Sequence, residues 1–152
     1  MVTIDTIGTI NSNRGIISIA TFNNKVIIGG YFKSNDNFIL NSTAQWSSDD
    51  WEPMGIGFWV GSGSSQDSAG GGHAFSTFRN LLICGGATDG AGGTTINSPF
   101  HAAYNIAKWN GTDWFPIQNP QSGVNNTVCA LETYHNNLYL GGSFGHSYDN
   151  AG

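Results

Sequence analysis

One pattern occurs three times in this chain: an apolar run, a short polar turn, a second apolar run and a pair of glycines. The copies are evenly spaced, because the glycine pairs begin at Gly29, Gly85 and Gly141, which lie at equal intervals. Asparagine in each turn tolerates the left-handed backbone of a tight hairpin, so every copy is predicted to be a β-hairpin. Self-similarity at a fixed period indicates a repeat architecture. The copies are Ile16–Phe32, Gly72–Thr88 and Val128–Phe144.

Alternation along a strand assigns its side chains to two faces. In the third copy it places Val128 and Ala130 on one face and Leu131 on the other. The glycine pair that ends each hairpin carries no side chains, so another stretch of backbone is expected to approach closely there.

A second repeated element lies between the hairpins. It contains two tryptophans five residues apart, Trp46 with Trp51 and Trp109 with Trp114, on either side of a polar turn. The Asn-Gly pair that begins at Asn110 is a strong hairpin signal. Each unit is therefore predicted to contain four antiparallel strands, which we name a to d. The tryptophans are expected to fill the space between the outer strands of neighbouring units.

These units predict an all-β chain with a single domain over residues 1–152, whose copies lie near residues 15–57, 72–118 and 128–152. The last copy is an a–b hairpin, and Ile4–Gly8 aligns with strand d of the first unit. Four-stranded antiparallel units of about 40–50 residues are typical of β-propeller blades, and propellers generally have about 4–8 blades. The predicted fold is an incomplete β-propeller segment: a strand d, two a–d units and an a–b hairpin.

The stretches Asn105–Trp114, Gly123–Val128 and Leu138–Phe144 together resemble a repeat of kelch-like and galactose-oxidase-central-domain-like β-propellers. These families include bacterial surface repeat proteins and fungal polarity markers. The resemblance is best over Asn105–Phe144, and the other copies match less well. It implies a propeller fold and a place in an extracellular or cell-surface protein, and it implies little about activity.

Composition argues against two classes of partner. The net charge is −5, with only five Lys and Arg residues and no basic run. Nucleic acid is not expected as a partner, because phosphate binding needs a basic surface. No apolar run approaches the roughly 20 residues that cross a bilayer, so no membrane span is expected. The first residues do not have the pattern of a signal peptide.

Topology predicts where a ligand would bind. In an antiparallel meander the a–b and c–d turns lie at one end of a sheet, and the b–c and d–a loops lie at the other. Only the second set varies in length between copies, and variable loops on a rigid scaffold commonly carry binding function. The aromatic residues there could instead pack within the units, which is the commoner role of such side chains. A protein or glycan ligand is expected at this end, contacted by Trp59, Asp67, Asp89, Phe100, His101 and Tyr104.

No catalytic or metal-binding pattern accompanies these residues. The four histidines lack metal-ligand spacing, and neither a carboxylate pair nor a nucleophile motif is found. The protein is therefore expected to be non-enzymatic, with no catalytic residue, no metal and no cofactor. Cys84 and Cys129 replace aliphatic residues of the repeat, and we expect buried free thiols, with a disulfide between them as the alternative.

Three functions are compatible with the sequence. The first is binding or display by a propeller region of an extracellular or surface protein. The second is a propeller domain of a secreted carbohydrate-active enzyme whose catalytic residues lie in other blades. The third is a structural protein of a virion or appendage that closes its ring by self-association through open blade edges.

Overall fold

The computed structural model describes residues 11–35, 38–60, 70–93, 101–118 and 122–148, without the side chains of residues 11–14 and 122. These residues form strands, turns and loops, and the prediction of an all-β chain is confirmed. The strands are β1 (Asn11–Phe22), β2 (Lys25–Ser34), β3 (Thr43–Ser47), β4 (Asp50–Pro53), β5 (Phe58–Trp59), β6 (Gly71–Phe78), β7 (Leu81–Ala87), β8 (Gly90–Ala91), β9 (Ala103–Tyr104), β10 (Ile106–Trp109), β11 (Trp114–Pro116), β12 (Ser122–Val124), β13 (Val128–Tyr134), β14 (Asn137–Gly142) and β15 (Ser147–Tyr148).

The long strands form two antiparallel sheets and a hairpin. Sheet 1 has the order β1-β2-β3-β4, and sheet 2 has the order β6-β7-β10-β11. Each sheet therefore follows the predicted a–b–c–d meander. The third unit is the two-stranded pair β13–β14. The strand predicted at Ile4–Gly8 lies outside the described residues.

All three a–b turns have the same backbone conformation. Both central residues have positive φ, between 46° and 62°. This is the type I′ geometry, whose twist matches that of the flanking strands. Asparagine occupies the second position in every copy, and it is a residue type that tolerates left-handed backbone. The turn residues are Asn23 and Asn24, Arg79 and Asn80, and His135 and Asn136.

Each a strand contains a β-bulge at an equivalent position, and the predicted alternation of side chains between two faces is therefore wrong across the bulge. In β13 the register shifts between Val128 and Ala130, and β1 and β6 have a shift at the equivalent place. The extra residue of a bulge changes the face on which the following residues lie. Val128 and Leu131 therefore both lie in the same core, although the sequence assigned them to opposite faces.

The first glycine of the first two pairs lets the next unit pack directly onto strand b. A β-carbon on Gly29 would lie 2.6 Å from the carbonyl oxygen of Gly72 and 2.9 Å from Cε2 of Phe75. A β-carbon on Gly85 would lie 2.5 Å from Cγ1 of Val128. Gly72 and Val128 are the first residues of the second and third copies, so the contact between units repeats with the sequence.

Two apolar cores fill the spaces between the units. The first interface, between sheets 1 and 2, contains Trp109 and Trp114, whose ring centroids are 5.3 Å apart. The second interface lies between sheet 2 and the hairpin β13–β14. The tryptophans of sheet 2 thus fill the space between neighbouring units, as the sequence predicts. The other buried residues of the first interface are Ile27, Met54, Phe58, Leu82, Cys84, Ala91, Ala103 and Ala107. Those of the second are Ile83, Ile106, Val124, Val128 and Leu131.

The two cysteines are free thiols in different environments. Cys84 is fully buried in the first interface, and burial raises the pKa of its thiol well above the usual value. Cys129 is exposed, so the prediction of a buried thiol is wrong at that position. The reason is the bulge in β13, because Cys129 is the extra residue and has no partner in β14.

His73 joins sheet 2 to sheet 1 through a hydrogen bond. Its Nε2 lies 2.9 Å from the hydroxyl oxygen of Tyr31. Partial burial lowers the pKa of His73 from the usual value of 6.5, because desolvation disfavours the charged imidazolium. Folding therefore favours the neutral ring. The contribution of His73 to the free energy of unfolding is complete above the pKa that it has in the unfolded chain. This contribution decreases as the pH falls from there towards the lowered pKa of the folded protein.

We expect the substitution His73→Gln to remove this part of the pH dependence of the free energy of unfolding. Chemical denaturation between about pH 5 and 8, where histidine titrates, measures the effect. The matched control is His135→Gln, which makes the same substitution at an exposed histidine in an a–b turn. An identical profile for wild type and His73→Gln would contradict the assignment.

Candidate binding site on the loop face

The b–c and d–a loops meet at one end of the sheets, where they pair through short strands. Strand β5 follows sheet 1 and pairs with β8, which belongs to the b–c loop of sheet 2. In the next unit β12 corresponds to β5, and it pairs with both β9 and β15. We call this layer, consisting of β5, β8, β9, β12 and β15, the loop face. The sequence predicts loops at this end, and it does not predict that they form strands.

Two glycines with positive φ allow these short strands to approach the preceding b–c loop. Gly57, with φ of 75°, lies against the carbonyl oxygen of Asn41, and Gly123, with φ of 146°, lies against that of Tyr104. A β-carbon at either glycine would clash with that oxygen. The next residue, Phe58, donates its backbone N–H to Asn41 over 2.8 Å. The loop face is therefore a repeated part of the fold.

Trp59 lies in β5 and is only 6% exposed. Its carbonyl oxygen accepts hydrogen bonds from Oγ1 of Thr88 at 2.9 Å and from the backbone nitrogen of Asp89 at 3.0 Å. Its ring packs on Gly90, where a β-carbon would lie 2.5 Å from Cζ2. Trp59 thus packs inside the loop face and does not offer the solvent-accessible aromatic surface that a ligand would need.

Asp89 and His101 both adjoin β8, the first in the chain and the second by backbone pairing. Asp89 precedes Gly90 directly and is exposed. His101 pairs with Ala91 through two backbone hydrogen bonds of 3.1 and 3.2 Å. The structure therefore brings Trp59, Asp89 and His101 together around one short strand, and Asp89 is the member that faces solvent.

The ring of His101 is held by sheet 2. Its centroid lies 4.4 Å from that of Phe115, and its Nε2 is 4.0 Å from Oδ2 of Asp113. The same carboxylate accepts hydrogen bonds from the backbone nitrogens of Gly93 and Trp114, each over 2.8 Å. These contacts fasten the b–c loop to the c–d hairpin, which gives His101 a clear structural role.

Tyr104 is half-buried in β9, and its ring centroid lies 5.2 Å from that of Tyr148 in β15. Tyr148 is 47% exposed. Gly123 of β12 pairs with both tyrosines, which places them on the two strands that flank β12. The two rings together form a partly accessible aromatic surface. Tyr148 could not be identified from the sequence, because a two-residue strand is too short to show a periodic pattern.

Four of the six predicted ligand-binding residues lie in the described part of the chain. Trp59, Asp89 and His101 meet around β8, and Tyr104 lies on the adjacent strand β9. Asp67 and Phe100 lie outside the described residues.

Among the residues that the structure describes, no group of three histidine, cysteine, aspartate or glutamate side chains could hold a metal ion. Within the same ranges there is no helix with the length and hydrophobicity that a membrane crossing requires.

Comparison with known proteins finds no matching family model, no similar curated protein and no similar solved structure. Membership of the kelch-like or galactose-oxidase-like families therefore stays a prediction from the sequence.

Proposed function

We propose that this chain is a non-enzymatic β-propeller region that binds a glycan at its loop face. Its two sheets and its hairpin act as blades, and the layer of short strands presents the binding surface. The observation that carries the proposal is the pair of rings formed by Tyr104 and Tyr148. Sugar rings present apolar C–H faces, which pack well against aromatic side chains whose hydroxyl groups remain in water.

The construction of the loop face supports this function. A binding surface must hold its side chains in fixed positions before the ligand arrives. Strand β12 supports both tyrosines through backbone pairing, and Asn105 fixes the neighbouring loop by donating from Nδ2 to the carbonyl oxygen of Val124 over 2.8 Å. Asp89 adds an exposed carboxylate near the start of the same loop, which could accept hydrogen bonds from sugar hydroxyls.

A place outside the cell or at its surface completes the proposal. This part rests on the resemblance of Asn105–Phe144 to repeats of secreted and cell-surface propellers. It is compatible with the low number of charged residues, 10% of the chain, and it agrees with the choice of a glycan as ligand.

We expect the double variant Tyr104→Ser, Tyr148→Ser to lose glycan binding by about tenfold or more, because two aromatic contacts disappear together. The wild-type protein is first screened on an array of neutral and acidic oligosaccharides, and the positive glycans are then titrated by calorimetry. The control is Tyr134→Ser, since Tyr134 is also an exposed tyrosine, at 59%, and adjoins an a–b turn at the opposite end. Equal loss in both variants, or no glycan bound by wild type, would contradict the proposal.

A further inference from the structure

Among the described strands, β14 has a neighbour on one side only. In sheets 1 and 2 the b strand is paired on both sides, since β2 lies between β1 and β3, and β7 lies between β6 and β10. In the described part of the chain, β14 pairs with β13 alone. Within the described residues, the other edge of β14 therefore presents backbone groups without a strand partner, which can accept a further strand.

A pocket of about 230 Å³ lies beside this edge. Its walls are mostly apolar, and they come from sheet 2, the loop face and β14. Leu138 and Leu140 of β14 are only half-buried there, although their side chains join the second interface. The residues that line the pocket are Ile106, Ile117, Gln118, Gly123, Val124, Leu138, Leu140, Ser147 and Tyr148.

The walls of the pocket correspond to the residues that surround the tryptophan pair in the first interface. Leu138 and Leu140 occupy in the third copy the positions that Leu82 and Cys84 occupy in the second. Ile117 follows the second tryptophan of its pair at the same distance as Met54 does in the preceding unit. Leu82, Cys84 and Met54 share one buried core with the tryptophans of sheet 2, Trp109 and Trp114.

The loop face supplies two further matching walls. Phe58 follows Gly57, as Val124 follows Gly123, and the ring of Phe58 lies 4.9 Å from that of Trp114. Ser147 occupies the position equivalent to Ala91, which is also part of the first interface. Val124 and Ser147 both line the pocket. The site that holds tryptophans in the first interface thus recurs in the second as an open pocket.

We propose that the edge of β14 and this pocket form a docking site for a β-hairpin that carries two tryptophans five residues apart. The first strand of the hairpin pairs with Leu138–Gly141, as β10 pairs with Leu82–Gly85. Its tryptophans enter the pocket. This is strand addition to a sheet edge, in which backbone hydrogen bonds supply affinity and the pocket supplies specificity. The proposal goes beyond glycan binding at the loop face and does not require it, although Tyr148 belongs to both surfaces.

A peptide with residues 103–118 of the chain itself tests the proposal, because it contains β10, β11 and both tryptophans. The peptide is titrated into the full chain, and the methyl resonances of Leu138 and Leu140 are followed by NMR. We expect saturable binding with shifts at both leucines. A control peptide with Trp109→Ala and Trp114→Ala is expected to bind about tenfold more weakly or worse, because tryptophans dominate such contacts.

A matched pair of protein variants tests the location. Leu140→Glu places a charge in the pocket, while Tyr139→Glu places the same charge on the other face of the same strand, where Tyr139 is 53% exposed. Binding should be lost in the first variant and kept in the second, with folding checked by circular dichroism. If Leu140→Glu does not fold, the two peptides decide the question alone.

Three outcomes would overturn the proposal. The first is no binding of the tryptophan peptide at millimolar concentration. The second is equal binding of the tryptophan and alanine peptides. The third is binding of free indole at the same leucines without binding of the peptide, since the pocket would then accept a small aromatic molecule and not a hairpin.

Discussion

Replacing Trp109 by alanine is expected to lower the free energy of unfolding by about 3–5 kcal/mol, the usual cost of emptying a large buried aromatic site. Trp109 is 5% exposed and lies in the core between two sheets. Its ring packs 5.3 Å from that of Trp114, which is fully buried. The loss therefore leaves a cavity between the sheets that neither sheet can close alone. Urea denaturation, followed by far-ultraviolet circular dichroism, measures the change.

The matched control is Trp46→Ala. Trp46 is the equivalent tryptophan of sheet 1, and its ring contacts Trp51 at the same 5.3 Å, but it is only half-buried. We expect a smaller loss, because less apolar surface returns to water on truncation. A Trp109→Ala protein that unfolds at the wild-type urea concentration would show that the ring does not hold the two sheets together.

The second large effect is expected for Gly29→Ala, which should destabilise the fold by about 1–3 kcal/mol, as overpacking of a close contact does. The added methyl group would lie 2.6 Å from the carbonyl oxygen of Gly72 and 2.5 Å from Oγ of Ser18. Backbone cannot rotate away as a side chain can, so the sheets must separate. Ser18 also donates to the carbonyl oxygen of Gly72 over 2.9 Å, and this bond would be strained by the movement.

The equivalent glycine of the third unit provides the control. A β-carbon on Gly141 would meet only Cβ of Ala130, at an ordinary 3.6 Å. Gly141→Ala should therefore leave the free energy of unfolding within about 0.5 kcal/mol of wild type. The two substitutions are chemically identical, so similar melting temperatures for both variants would mean that close packing of the units does not explain the repeated glycines.

The repeat made much of the fold predictable. Glycine pairs at a constant step, asparagine turns and paired tryptophans each have a local physical cause, and they predict the a–b and c–d hairpins without knowledge of the tertiary structure. The bulge at Cys129 could not be predicted in this way. It inserts one residue between Val128 and Leu131, and the face of each side chain then depends on packing against sheet 2.

The position of the candidate site was predictable from the sequence, and the residues that form it were less so. Antiparallel topology places the variable loops at one end, and the loops do meet there. The short strands of the loop face depend on pairing between segments far apart in the chain, such as Phe58 with Ala91. That pairing buries Trp59 and brings Tyr148 next to Tyr104. Local sequence contains no signal for either event.

The recurrence of the same contacts at both interfaces has a consequence for the evolution of such chains. Each interface uses residues of two adjacent units only, so a duplicated unit would meet a surface already shaped to receive it. A chain built in this way can gain or lose a unit through one recombination event. Loop residues outside the short strands can meanwhile diverge, because the side chains that join the units lie in the strands and at their ends.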